Sequence, residues 1–285
     1  MSTSDLTRSD ESLSTADFNR LRDLIYKESG INLGSDKKTM VELRLKRRVK
    51  SLEFSSYSEY CRHVFRPEGR EQELVHLIDA VTTNKTDFFR EAAHFDYLVA
   101  KALPGLTAQH GLGRKYLVWS AGCSTGEEPY TLAMVLNEYA ETHPGFRFSV
   151  LATDICTAVL DKARNGIFKS EAVDAVSPEL RRKYFMRSRD SASRVLRVVP
   201  ELREVVEFRR VNFMDSDFGL SESPCIIFCR NVIIYFDRTT QLRLLGKLAR
   251  HLVPGGYFFA GHSESLQGMD LPLVPAGQSV YKKVG

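Results

Sequence analysis

Between Val118 and Tyr130 the chain reads Val-Trp-Ser-Ala-Gly-Cys-Ser-Thr-Gly-Glu-Glu-Pro-Tyr, residue types and a spacing suited to holding a small charged ligand. An apolar run, Tyr116 to Trp119, stops at small residues and the glycines Gly122 and Gly126, and a helix-forming run, Pro129 to Leu136, follows. Strand, tight glycine turn and helix, in that order, make the first unit of a nucleotide-binding α/β sheet. The glycine spacing is G-x-x-x-G rather than G-x-G-x-x-G, and Glu127 and Glu128 open the helix. A helix N-terminus favours an anionic pyrophosphate through its free N–H groups and its dipole, and carboxylates placed there repel one. They suit a ligand with an adenosine end and a cationic head. S-adenosylmethionine, with its sulfonium and ammonium groups, is such a ligand. The plainer alternative is that these acids only complement the helix dipole.

In an open α/β sheet the ligand lies outside the carboxyl ends of the strands, near the switch in strand order. Asp154 closes Leu-Ala-Thr-Asp, where an acid takes both ribose hydroxyls; capping the next helix is its structural alternative. Asn212 and Phe213 close another strand and can bracket adenine with an amide and an apolar face. A turn amide and a core aromatic would account for them equally well. Arg230 and Asn231 interrupt the apolar run Ile-Phe-Cys-Arg-Asn-Val-Ile-Ile-Tyr-Phe, and a buried arginine needs a specific partner. Tyr235 follows them. Upstream, Thr-Thr-Asn-Lys-Thr-Asp-Phe-Phe-Arg (82–90) sets polar residues before two aromatics, so the segment is expected to fold back over the sheet.

The elements that must position these residues fall into two patterns. Residues 1–12 are polar and expected to be disordered. Helical periodicity then runs to about residue 110, with a first helix capped by Ser14 and ended by Gly30, and a second from Ser35 to Leu52. Further helices fit Tyr57–Phe65 and Glu71–Val81. Between Lys37 and Lys50 there are seven basic residues against one acid, Glu42. On a helical wheel Val41, Leu45, Val49 and Leu52 form one stripe, with Arg44, Lys46, Arg47 and Lys50 opposite and Arg48 at the boundary. From residue 116 short apolar strands alternate with helices, which argues a mainly parallel sheet covered on both faces. Residues 167–204 interrupt it with a helical piece and the β-favouring runs 184–186 and 195–199, an inserted hairpin. The expected organisation is a helical N-terminal domain (13–82), a linker segment (83–115) and an α/β domain (116–285) with the insertion at about 167–204.

The chain has 285 residues, 43% hydrophobic and 27% charged, with a formal net charge of +4, as for a water-soluble globular protein. No signal peptide or membrane-spanning run stands out. Five cysteines show no CxxC pair and no Cys/His ligand spacing, which argues for a reduced, cytoplasmic setting and no structural metal.

With these pieces placed, the chain resembles the chemotaxis receptor methyltransferases, the S-adenosylmethionine-dependent protein-glutamate O-methyltransferases of the CheR family. The resemblance covers nearly the whole chain. It rests on Thr-Thr-Asn-Lys-Thr-Asp-Phe-Phe-Arg-Glu (82–91), Ser-Thr-Gly-Glu-Glu-Pro-Tyr (124–130) and Ala-Thr-Asp-Ile (152–155). Lys-Ala-Arg-Asn-Gly (162–166), Phe-Cys-Arg-Asn-Val-Ile-Ile-Tyr-Phe (228–236) and Phe-Ala-Gly-His-Ser-Glu (259–264) extend it. It implies a Rossmann-like class I S-adenosylmethionine-dependent methyltransferase domain with a small inserted antiparallel β-subdomain, preceded by a small all-helical domain. The donor site it implies is Asn84, Thr86, Arg90, Glu128, Asp154, Asn212, Phe213, Arg230 and Asn231, with Arg90 and Tyr235 nearest the transferred methyl. S-adenosylhomocysteine is the implied product, and no metal is called for. Glutamates in the cytoplasmic helical domains of chemoreceptors are the implied acceptors, modified by a monomer recruited to receptor arrays. Arg44, Lys46, Arg47 and Lys50 are the expected docking residues. The loop 187–194 lacks glycine, unlike the turn of family members that hold a receptor's C-terminal peptide. The competing readings are a nucleic-acid methyltransferase and a non-catalytic nucleotide-sensing scaffold. The strand that ends at Arg230 and Asn231 lacks the Asn/Asp-Pro-Pro-Tyr/Phe signature of the former, and the polar residues at every strand end are not needed by the latter.

Overall fold

The computed structural model describes residues 12–188, 190 and 193–284. The expected disordered tail thus lies, except for Ser12, outside the described residues, as does part of the glycine-free loop. The chain divides into two compact units. One comprises the residues up to Thr83 together with Tyr235–Asp237, the other Asn84–Ile234 and Arg238–Gly285.

The first unit is built on the helices Thr15–Ser29, Lys38–Ser51, Tyr57–Val64 and Pro67–Val81. Ser14 caps the first by accepting from the Asp17 N–H at 3.0 Å, and Gly30 ends it in the left-handed conformation that glycine adopts without steric cost. Ser35 does not cap the second helix as its sequence position suggested. It opens a single 3-10 turn, Ser35–Lys37, and the α-helix begins at Lys38 with no side-chain cap. The fourth starts a turn earlier than expected, on Pro67, whose missing N–H costs nothing at a first helical position. Phe18, Leu21, Ile25, Val41, Leu45 and Leu77 meet in its core. Burying each large apolar side chain contributes about 1.5–3 kcal/mol, the dominant favourable contribution here.

The described residues of the second unit form ten strands: β1 (Lys115–Ala121), β2 (Arg147–Asp154), β3 (Ile167–Lys169), β4 (Phe185–Arg187), β5 (Val195–Val198), β6 (Val206–Arg210), β7 (Ile226–Cys229), β8 (Tyr257–Ala260), β9 (Leu273–Gly277) and β10 (Val280–Lys283). Seven form one sheet in the order β6-β2-β1-β7-β8-β10-β9. All neighbours are parallel except β10, which is antiparallel to both β8 and β9. The chain winds outward from β1 through β2 to β6 and returns to β7 on the other side of β1. The switch in strand order therefore lies between β2, β1 and β7, and a ligand crevice opens at their carboxyl ends. The inserted subdomain has three antiparallel strands, β3-β5-β4, where the sequence suggested a hairpin.

Residues 93–110 continue as helix (Ala93–Tyr97), one π-turn (Leu98–Ala102) and helix (Leu103–His110). Phe95 stacks on Phe228 of β7, and Phe228 on Phe259 of β8, with ring centroids 5.7 and 4.2 Å apart. Phe88 is buried against Phe168 and Phe185 of the small sheet. Phe88 thus anchors the 84–92 segment on the small sheet, and Phe95, just beyond it, packs on the large one. All five cysteines are buried and free, and burial pushes the Cys225 thiol up to about 12. Among the described residues no helix is long and apolar enough to cross a membrane.

Candidate active site

The glycine turn is held by its neighbours at both ends. Gly122 and Gly126 both take positive φ, 93° and 103°, and so does Ser124 at 49°. A Cβ on Gly122 would lie 2.4 Å from Val232, and one on Gly126 would lie 3.0 Å from Ala163, so both need glycine for space as well as for conformation. Asp154 fixes the turn: its carboxylate accepts the Ser124 N–H and the Cys156 N–H, each at 2.9 Å. The acid is thus built into two loops at the end of β2. Asn84 joins the same corner, where its carbonyl accepts from the Ser124 hydroxyl at 2.8 Å.

Glu128 is buried, and its carboxylate is engaged by the protein. One oxygen accepts from Ser120 Oγ at 2.7 Å, the other from Arg230 Nε at 2.8 Å. Arg230, with a side chain only 2% exposed, is the partner-seeking buried arginine of the sequence, and its partner is a protein carboxylate. Its Nη1 reaches the Arg90 carbonyl at 2.7 Å and His94 Nδ1 at 3.2 Å. Burial and then the Arg230 charge hold His94 down at about 4, so at neutral pH its imidazole is uncharged and Nδ1 can accept that hydrogen bond. Glu91, His94 and His262 present ligand atoms within 4.8 Å of one another, but the Arg230 guanidinium at 3.2 Å from His94 Nδ1 opposes a cation there. Glu127 turns onto the Thr125 hydroxyl at 2.6 Å, and burial raises its pKa.

The 84–92 segment is strained where it meets this network. Phe89 and Glu91, with φ of 53° and 58°, stand in the left-handed region that L-residues rarely enter. Such strain persists only where the surroundings over-determine it, and it gathers at functional sites. The Arg90 guanidinium folds back onto the Lys85 carbonyl at 3.0 Å, a single bond that leaves most of its donors for a ligand or acceptor. Thr86 lies half-buried in the same turn.

After β6, Asn212 turns its side-chain oxygen to the Met214 N–H at 3.0 Å, and the Phe213 ring packs in the core 6.0 Å from Phe218. The apolar face expected to bracket adenine is therefore engaged in packing. Lys247 fastens this loop by donating to the carbonyls of Phe213 and Asp215. Asn231 stands in the left-handed region at φ 57°, beyond β7. Tyr235 ends the 3-10 turn Ile233–Tyr235 and clusters with the helical unit, where its carbonyl accepts from the Asn32 N–H at 2.8 Å. The structure thus brings Asn84, Arg90, Glu128, Asp154, Arg230 and Asn231 to one edge of the sheet. Tyr235 and the basic residues belong to the other unit.

On the basic helix the structure corrects Arg44. Its guanidinium does not face outward but donates to the carbonyls of Val81 and Thr82 at 2.7 and 2.9 Å, satisfying the C-terminus of the helix Pro67–Val81. Arg48 is bidentate to the buried Glu73. Lys46, Arg47 and Lys50 remain exposed, together with Leu43 at 67%. The sequence reading singled out none of Ser120, His94, Lys247 or Glu264 as site residues. Only Glu264 carried a signal, a charged residue just beyond the carboxyl end of β8.

A doubly wound sheet with this glycine turn and acid at its switch point, following an all-helical unit in the chain, defines a Rossmann-like class I S-adenosylmethionine-dependent methyltransferase. Residues 16–82 match the family described as CheR methyltransferase, all-alpha domain, and residues 84–280 that described as CheR methyltransferase, SAM binding domain. The chain is similar to the chemotaxis protein methyltransferase of Borreliella burgdorferi, with 40% identity over 255 residues, covering 88% of this chain and 89% of that protein. Chemotaxis protein methyltransferase 2 of Pseudomonas aeruginosa is 40% identical over 266 residues, covering 93% and 92%. The Escherichia coli chemotaxis protein methyltransferase is 40% identical over 271 residues, covering 94% and 91%. The chain belongs to the CheR methyltransferase family.

Proposed function

We propose that this protein transfers the methyl group of S-adenosylmethionine to glutamate side chains in the cytoplasmic helical domains of chemoreceptors, forming methyl esters and S-adenosylhomocysteine. The observation that carries the donor reading is the acid-lined turn. The carboxylates of Asp154, Glu127 and Glu128 surround it and outnumber the Arg230 guanidinium that pairs with Glu128. That balance favours a cationic ligand and disfavours a pyrophosphate. Asp154 takes the ribose, Asn84, Thr86, Asn212 and the Phe213 main chain surround the nucleoside, and Glu128 and Asn231 face the methionine end. The donor supplies a methyl group on a positively charged sulfur.

The rest falls to the protein. A glutamate side chain, with a reference pKa of about 4.3, is already an anion at neutral pH, so no general base is required. A carboxylate lone pair forms the new O–C bond as the C–S electrons return to sulfur. Water slows such a meeting of anion and cation by solvating both, so the site's work is to exclude water and align the pair. Arg90 and Tyr235 do the aligning. A tight bidentate clamp by Arg90 would stabilise the ground state as much as the transition state, whereas a loose contact does not.

Arg90→Ala should lower turnover by up to about 100-fold, the scale of a misaligned reacting group, and should change donor affinity far less. The variant keeps the Arg90 carbonyl, and hence its bond to Arg230. Tyr235→Phe should follow the same pattern more mildly. Wild-type turnover in Arg90→Ala would remove the residue from the reaction. The substrate is tested by incubating the protein with methyl-labelled donor and either purified receptor cytoplasmic domain or RNA. Label should enter the receptor and leave as methanol in alkali, as an ester does. Label in RNA, or base-stable label in the receptor, would overturn the assignment.

Docking falls to the exposed cations of the helix Lys38–Ser51 and would hold the enzyme beside receptor arrays in the cytoplasm. Its apolar stripe is consumed in the core, and its outward face carries almost no acid, where a merely soluble face would mix both signs. Reversing Lys46, Arg47 and Lys50 to Glu should slow receptor methylation and spare donor binding. Arg44 is omitted because it caps a helix. Wild-type methylation should also fade with salt as the Debye length falls from about 10 Å at 0.1 M to about 3 Å at 1 M. Insensitivity both to the triple change and to salt would reduce this face to ordinary surface.

A further inference from the structure

Glu264 is only 4% exposed, and among the described residues it forms no ion pair. A buried carboxylate without a cation is costly unless its oxygens are fully hydrogen-bonded. Here they are. Oε2 accepts the N–H groups of Gly261 and Asn231, both at 2.7 Å, and Oε1 accepts those of Ile233 at 2.9 Å and Ile234 at 3.4 Å. Three of these four amides belong to the loop that leaves β7, and none of the three pairs in the sheet. Charge-assisted bonds of this kind are short and directional, and they fix the backbone that donates them.

That backbone needs fixing. Asn231 is held at a φ of 57°, a conformation an asparagine adopts at some cost. Immediately after it the chain enters the 3-10 turn Ile233–Tyr235, whose first amides have no partner within the turn. Gly261 completes the arrangement: a Cβ there would lie 2.8 Å from both Asn231 Nδ2 and Glu264 Oε2, and 2.9 Å from Asn231 N. The carboxylate and the bare glycine thus act on one loop from the end of β8.

The geometry points to Glu264, with Gly261, as a positioning residue for methyl transfer: its carboxylate sets the loop that presents Asn231 to the donor and leads into Tyr235. This rests on the proposed roles of Asn231 and Tyr235. Neither Glu264 nor Gly261 touches the reacting atoms in this scheme; both act through the main chain they hold.

The test uses the full chain, S-adenosylhomocysteine as the probe ligand and receptor cytoplasmic domain as acceptor. Glu264→Gln keeps size and shape but turns an NH2 group toward one pair of main-chain donors, so two bonds become repulsions. With active sites counted by calorimetric titration, turnover per binding-competent molecule should fall about tenfold or more, and affinity for S-adenosylhomocysteine should weaken several-fold. A residue needed only for folding would lower the number of competent molecules and leave turnover per molecule at the wild-type value, and that result would overturn the proposal. Should Glu264→Gln fail to fold, Gly261→Ala decides, because it displaces the same loop without changing charge. A folded Gly261→Ala with wild-type turnover and affinity would equally overturn the proposal. Failure of the wild type to methylate receptor would refute the substrate reading instead. In that case the affinity measurement alone judges the clamp, weakened binding supporting it and unchanged binding overturning it.

Discussion

Replacing Arg230 with methionine should destabilise the methyltransferase unit by about 3–5 kcal/mol, the cost of leaving one member of a buried ion pair uncompensated. The guanidinium is 2% exposed and the Glu128 side chain 10%. Without Arg230, Glu128 retains the Ser120 hydroxyl at 2.7 Å but no counter-charge. The Arg90 carbonyl and His94 Nδ1 each lose a donor as well. Because a pair is more costly to break than to remove, the double replacement Arg230→Met with Glu128→Gln should recover part of the loss. Thermal unfolding reads the effect at about 2–4 °C per kcal/mol for a domain of this size. A single variant that melts with the wild type would mean that the pair contributes nothing, and that the 84–92 segment is held by its aromatics alone.

Asp154→Ala should weaken binding of S-adenosylhomocysteine by about 1.5–3 kcal/mol, roughly tenfold to a hundredfold, as hydrogen bonds to a charged acceptor are lost. The substitution acts twice. It removes the acceptor proposed for the ribose, and it releases the Ser124 and Cys156 N–H groups, so that the strained glycine turn keeps only its main-chain bonds to Thr153 of β2. Asp154→Asn should fall between, because its amide oxygen still serves one loop while its NH2 opposes the other. Calorimetry showing unchanged affinity in the alanine variant would remove Asp154 from the donor site.

Much of this architecture is legible in the sequence because it depends on near neighbours. The helix Thr15–Ser29 begins and ends where a capping serine and a glycine place it, and β1, β2, β7 and β8 coincide with short apolar runs. β9 shows no strand pattern in the sequence because Pro275 interrupts it, and an edge strand tolerates proline where a central one does not. β3 has three residues, too few to show a period, so the inserted sheet looked like a hairpin. Arg44 was misplaced for a different reason. A helical wheel gives the direction of a side chain from its own axis and says nothing of the carbonyls at the end of another helix, 37 residues away in the chain.

The sequence by itself determined the order of the helices and of the central strands, the glycine turn after β1 and the acids that open the next helix. Those follow from local stereochemistry and from burial periodicity, which act within a few residues. Only the tertiary structure decided which of these groups are committed to the protein. Glu128 and Arg230 are separated by 102 positions, Asn231 and Glu264 by 33. Whether a buried carboxylate meets a guanidinium, four amides or an incoming ligand depends on distances of a few ångströms that arise when the strands align. Burial makes each such pairing obligatory, because no water remains to satisfy a polar group left without a partner.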